Sequence, residues 1–304
     1  MALAVLSRPR LFGAVLGSSA TSIMTKDGIE PTHRDIPYGG HPRQTINLWK
    51  AESDGPTPVY VHIHGGGWVM GSKFSKWNPK LYLDRGISVA SIGYRYTTDS
   101  PMPAPLLDAA RAVQFIRSKS GEWGLDKARF AFGGPSAGGA TALWLATRDD
   151  LADPRSADPV ARESTKPCCV VAINCQPLMD PPTNCELIQM PMRPYPPLVS
   201  FFGYRDFDTM MRRMEEDRPR YRECSAQPHA DKGDPPMYLV ATRPMAIPPA
   251  NIGDAIHHPI FMVRFKEELD RIGVESHLRT ARSQPPISPD EFLFEKLLGP
   301  EARP

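Results

Sequence analysis

Two short stretches of this sequence hold residue types in an order suited to chemistry. The first is Gly134-Pro135-Ser136-Ala137-Gly138. A serine with glycines two residues to either side can be raised on a sharp strand-to-helix turn, which closes only where neighbouring side chains are small. The context fits. Ala128 to Phe132 reads as a short buried strand before it, and the Ala- and Leu-rich stretch Gly139 to Thr147 reads as a buried helix after it. The start of that helix would aim its dipole and unpaired N–H groups at a reacting oxygen. The second stretch, His64-Gly65-Gly66-Gly67-Trp68, follows an apolar run at Pro58 to Ile63. Successive glycines let the backbone approach a bound molecule closely and point amides at it. Together the two stretches suit a serine hydroxyl that attacks an acyl carbon while main-chain amides hold the resulting oxyanion.

Such a pair needs strands ending together at one edge of a sheet. Thr45 to Trp49 alternates apolar and polar residues, and Ile87 to Ile92, Cys168 to Asn174, Met237 to Ala241 and Val274 to Thr280 are further runs of strand length. Leu106, Ala109, Ala110, Val113 and Ile116 recur at helical spacing, and helices are also expected near 207–216, 261–272 and 290–298. Strands alternating with helices predict an α/β fold with a mostly parallel central sheet covered on both faces, here as one domain over residues 31–304. Residues 176–236 break the rhythm with Pro194, Pro196 and Pro197, several aromatics and many methionines. A long insertion of this kind reads as a cap or lid over the strand ends.

Composition narrows the function classes. Hydrophobic residues make up 41% and charged residues 23% of the 304, an ordinary globular balance with enough apolar material for a large core. Net charge is +2 with the two signs interspersed, which argues against nucleic-acid binding. The five cysteines show no CxxC spacing, so neither a metal site nor a disulfide framework is expected, and Cys168, Cys169 and Cys175 read as buried thiols. Residues 1–30 form a tail or a signal segment. Arg8, Arg10, the apolar run Leu11 to Leu16 and Ser18-Ser19-Ala20 suit a short export signal as well as a frayed terminus, and the run is far too short to span a membrane. Cytoplasmic and exported locations both stay open, and oligomeric state is not legible.

The chain resembles the hormone-sensitive-lipase-like and carboxylesterase branch of the α/β-hydrolase superfamily. The resemblance runs from His64-Gly65-Gly66-Gly67 through Tyr94-Arg95, Pro103 to Asp108 and Gly124-Leu125-Asp126 to the serine turn, then less specifically to Asp234-Pro235-Pro236 and Leu269 to Glu275. It implies hydrolysis of a small-molecule carboxylic ester without any cofactor. Carried over by position, it implies Ser136 as nucleophile and the amides of Gly66, Gly67 and Ala137 as the oxyanion hole. It also implies Asp254, nineteen residues before Gly273, as triad acid. The other reading of Asp254 is an acid near the start of the helix expected from about His258, where it would offset the helix dipole.

The resemblance breaks at the histidine. Relatives of this kind carry it after the last strand, where this chain reads Thr280-Ala281-Arg282-Ser283-Gln284-Pro285-Pro286, and no histidine follows His277. A serine hydroxyl is a poor nucleophile until a base removes its proton. His258, His277 and, behind them, His257 are the substitutes, while His64 is expected to hold the glycine loop. A second departure is Pro135, whose fixed φ constrains the turn directly before the serine. Three readings follow: a serine esterase with a relocated base, a pseudo-hydrolase that binds a ligand or partner without turning it over, and an amidase or formamidase on the same fold.

Overall fold

The computed structural model describes residues 28–74 and 78–300. The N-terminal stretch in which a tail and an export signal were weighed lies almost wholly outside the described residues. Among those described, no helix is long and apolar enough to cross a membrane.

The elements run β1 (His33–Pro37), β2 (Thr45–Trp49), β3 (Thr57–Ile63), α1 (Lys80–Leu83), β4 (Ser88–Ile92), α2 (Ala104–Ser118), α3 (Ser120–Trp123), β5 (Leu125–Pro135) and α4 (Ala137–Thr147). They continue with β6 (Cys169–Ile173), α5 (Pro181–Leu187), α6 (Pro196–Phe201), α7 (Phe207–Arg213), α8 (Arg218–Glu223), β7 (Met237–Ala241), α9 (Ile252–Ile256), α10 (Pro259–Ile272), β8 (Ser276–Thr280) and α11 (Pro289–Leu298). The eight strands form one sheet in the order β1-β2-β4-β3-β5-β6-β7-β8. From β4 to β8 every pairing is parallel, and β1 and β2 join antiparallel at one edge.

This is the arrangement that continuous apolar runs demand. Central strands of a parallel sheet are covered on both faces, so β3, β4 and β7 are buried at every position. One face packs a core that includes Leu106 and Val113 of α2, Leu143 of α4 and Phe265 of α10, and the other a cluster around Phe292 and Leu297 of α11. All five cysteines are free thiols, with Cys169 and Cys175 buried and Cys168 partly so. The stretch between β6 and β7 carries four short helices, α5 to α8, each beginning beside a proline or an Asp cap.

Packing is close where β5 meets α4. Ser136 takes φ 51° and ψ −121°, a left-handed backbone that a residue with a side chain rarely adopts. Its N–H donates to the Ile173 carbonyl of β6 at 2.8 Å. A Cβ added to Gly134 would lie 2.0 Å from the Ile63 carbonyl oxygen, and one on Gly138 would lie 1.9 Å from the same atom. The end of β3 is therefore wedged against the turn, and only glycine fits at either flank. Pro135 does not obstruct it, because the positive φ falls on the next residue and proline's own φ of about −65° suits the end of a strand.

Gly138→Ala is therefore expected to lower stability by about 1–3 kcal/mol, the usual cost of overpacking against atoms that cannot yield. Gly121→Ala, in α3, meets nothing within 4 Å and is expected to be neutral or slightly stabilising. Thermal denaturation of both variants checks the contrast, and equal melting temperatures would contradict the wedge.

Candidate active site

The glycine loop is held from beneath. Gly66, at φ 112°, faces the Met70 carbonyl, which a Cβ would approach to 2.2 Å, and Gly67 adopts φ 58°. His64 is buried, its ring stacked on Tyr94 at 4.1 Å, and its Nδ1–H donates to the Gly65 carbonyl at 2.8 Å. The Tyr94 hydroxyl donates to the His64 carbonyl at 2.8 Å. Burial pushes the His64 pKa down to about 4, so the ring stays neutral and structural. Trp68 Nε1–H donates to Thr141 Oγ1 at 3.0 Å and ties the loop to α4. Behind Tyr94, the buried carboxylate of Asp108 accepts from Arg95 Nε, from Arg95 Nη2 and from the Arg95 main-chain N–H, at 2.9, 2.7 and 2.9 Å. A further bond comes from Gln44 Nε2 at 2.8 Å, so the acid is fully satisfied.

The side chain that meets Ser136 is His257. Ser136 Oγ lies 2.9 Å from His257 Nε2, and His257 Nδ1 lies 2.9 Å from the Gly253 carbonyl oxygen. A carbonyl can only accept, so the proton sits on Nδ1 and the Nε2 lone pair faces the serine hydroxyl. Burial lowers the His257 pKa from its ordinary 6.5. The bond to Gly253 opposes that, Arg243 adds to the lowering, and Asp254 weakly opposes it. The imidazole is thus neutral at pH 7, the form that can take a proton.

The structure places the other sequence candidates elsewhere. His258, adjacent in sequence, is fully buried and caps the start of α10, with Nδ1 accepting from the Ile260 N–H at 3.2 Å and Nε2–H donating to the Ala246 carbonyl at 3.1 Å. His277 sits in β8 against Tyr238 and Phe292, with ring centroids 5.6 Å away in each case, on the face covered by α11. Asp254 lies in the first turn of α9, with Asn251 as its N-cap. Its Oδ2 accepts from Asn251 Nδ2 at 2.7 Å, its N–H donates to Asn251 Oδ1 at 2.9 Å, and Arg243 lies 3.8 Å from Oδ1. It is thus a helix N-terminal acid, but of α9 and not of the helix beginning near His258. The Nδ1 of His257 goes to the Gly253 carbonyl instead of to the Asp254 carboxylate.

Sequence spacing pointed away from His257 because the resemblance sets the histidine after the last strand. The signal that could have found it is topological. Loops after the parallel strands all emerge at the carboxyl edge of the sheet, so a histidine after β7 can reach a serine after β5.

A cavity of about 920 Å³, counted out to its mouth, opens over the pair. Ser136, Ala137, Gly67 and His257 line its floor, and Gly66 lies one residue behind. Most of the walls come from residues between β6 and β7 and from α9, among them Met179, Met190, Met192, Leu198, Phe201 and Ile256. Gln176, Asn184, Arg193 and Tyr195 add hydrogen-bonding side chains to them.

The BD-FAE family model matches residues 47–244 of this chain. A probable isoprenylcysteine alpha-carbonyl methylesterase of Arabidopsis thaliana is 37% identical over 109 residues, covering 34% of this chain and 25% of that protein. An ethyl acetate hydrolase of Pseudomonas putida is 32% identical over 121 residues, covering 36% of this chain and 37% of its own. The chain thus spans a quarter to somewhat over a third of the length of these relatives. Among solved structures, a truncated carbohydrate esterase from gut microbiota superposes with a TM-score of 0.64 at 17% identity, covering 81% of this chain and 85% of that one. An acetyl ester-xyloside bifunctional hydrolase from Caldicellulosiruptor lactoaceticus gives 0.61 at 22% identity, with 87% and 89% covered. At these identities the likeness is one of fold.

Proposed function

This chain belongs to the BD-FAE family and carries the α/β-hydrolase fold, and from that premise we propose that it is a carboxylic-ester hydrolase with Ser136 as nucleophile and His257 as general base. The observation that carries the reading is the 2.9 Å separation of Ser136 Oγ and His257 Nε2, with the ring held in the tautomer that leaves Nε2 as acceptor.

In this reading Ser136 Oγ attacks the ester carbon as its proton passes to Nε2. The carbonyl oxygen becomes an oxyanion held by the amides of Gly66, Gly67 and Ala137. The ester C–O bond then breaks, the departing alcohol oxygen takes the proton from Nε2, and the acyl group stays on Ser136. Water gives a proton to the same nitrogen as it attacks the acyl carbon, and collapse breaks the bond to Oγ, which takes that proton back from Nε2, releasing the acid and restoring the serine. No step needs a metal or cofactor. The missing histidine after β8 was the motive for a binding-only pseudo-hydrolase, and His257 supplies that missing group from another loop. The methionine- and isoleucine-lined walls favour an ester with an apolar group of moderate bulk. Relatives named as methylesterase and ethyl acetate hydrolase support the ester class.

Turnover of p-nitrophenyl butyrate tests the roles. Ser136→Ala and His257→Ala are each expected to lose up to about a millionfold in kcat, the loss seen when the serine or the histidine of a full catalytic triad is deleted. His277→Gln is expected to keep wild-type turnover. Equal rates in the wild type and Ser136→Ala would refute the assignment.

The pH profile adds an independent check. The base works only when neutral, so kcat/KM falls as pH drops through the His257 pKa, and burial sets that pKa below 6.5. The acid limb of the wild type is therefore expected to have its midpoint below 6.5, and a midpoint above that value would contradict a buried, carbonyl-bonded base.

A further inference from the structure

We propose that the group positioning His257 is the main-chain carbonyl of Gly253, standing where an enzyme of this fold would set a carboxylate, and that Asp254 is not a triad acid. The inference rests on the Ser136–His257 reading above and concerns what stands behind the histidine.

A triad carboxylate does two things. It fixes the tautomer and orientation of the imidazole, and it stabilises the imidazolium that forms as the serine attacks. The Gly253 carbonyl does the first fully. At 2.9 Å it holds the proton on Nδ1, and it lies four residues before His257 in a helix that ends there. The main-chain N–H of His257 turns instead to the Ala255 carbonyl. The second task is done more weakly. Carbonyls in the last turn of a helix carry partial negative charge that favours a cation, but less than a carboxylate would.

The Asp254 side chain is engaged with the N-cap of the same short helix. Its carboxylate and N–H form a reciprocal pair with the side-chain amide of Asn251, and Arg243 stands on its outer oxygen. Asn251 and Asp254 together fix the first turn of α9 and so place the Gly253 carbonyl beneath the imidazole. Their influence on the reaction passes through the helix.

The two arrangements predict different enzymes. Asp254→Asn keeps the shape and an oxygen acceptor for Asn251. With a carbonyl behind His257, kcat is expected to stay within about tenfold of wild type, whereas losing a triad acid costs about 10⁴-fold through the wrong tautomer. Imidazole ¹⁵N spectra of wild type and Asp254→Asn are expected to show the same Nδ1–H form of His257. Asn251→Ala, which uncaps α9, is expected to lower kcat tenfold or more with little change in KM, and Asn251→Ser, which can still cap, to restore it.

A fall of 10³-fold or more in folded Asp254→Asn, or a switch of its His257 to Nε2–H, would overturn the proposal. Unchanged kcat in Asn251→Ala would do the same. Ser136→Ala and His257→Ala measured alongside separate the failures. Inactive Ser136→Ala and His257→Ala with an equally inactive Asp254→Asn sink only the carbonyl, while active Ser136→Ala sinks the reading beneath it.

Discussion

The proposed chemistry depends on a single hydrogen bond, from Ser136 Oγ to His257 Nε2 at 2.9 Å, and much of the fold is needed to allow it. One end depends on a backbone that turns through φ 51° at Ser136, packed against the Ile63 carbonyl in space left open because residues 134 and 138 carry no side chain. The other end depends on a short helix after β7 that ends under the imidazole and turns away into α10 at His258. Parallel strands bring both ends together, since β5 and β7 flank β6 and deliver their following loops to one edge of the sheet.

Much of this was legible in the sequence wherever the determinants are local. Central strands announced themselves as apolar runs because both sheet faces bury them, and α2, α4 and α10 did so by helical spacing or small apolar composition. The serine turn was legible because its glycines answer to steric limits that no other residue meets. The short helices α5, α6, α8 and α9 were not, since each runs at most seven residues and is set by prolines, caps and contacts made across the chain. Pro135 looked like an obstacle only until the positive φ was seen to belong to its neighbour.

The base shows where spacing stops being informative. His257 and His258 are adjacent, yet a helix junction falls between them, so one ring faces the serine and the other is buried against Ala246. No pattern of residue types separates them, because the junction depends on Asn251 capping one helix and Pro259 opening the next. Asp254 stood at the spacing of a triad acid, but Asn251 and Arg243 draw its carboxylate to the N-cap of α9. In the proposed reaction the base stands in the loop after β7 and not after β8, so residues equivalent by position need not be equivalent in role. Methionine and isoleucine line much of the cavity and favour an apolar group in the proposed reaction.

The measurement that bears most directly on the serine–histidine pair is covalent labelling by a fluorophosphonate, followed by intact mass and peptide mapping of the full chain. The reagent reacts only with a hydroxyl that a base has activated. One adduct per molecule on Ser136 in the wild type, with labelling slowed by several orders of magnitude in His257→Ala, is the expected result. An unlabelled wild type, an adduct on another residue, or equal labelling of the two proteins would contradict it.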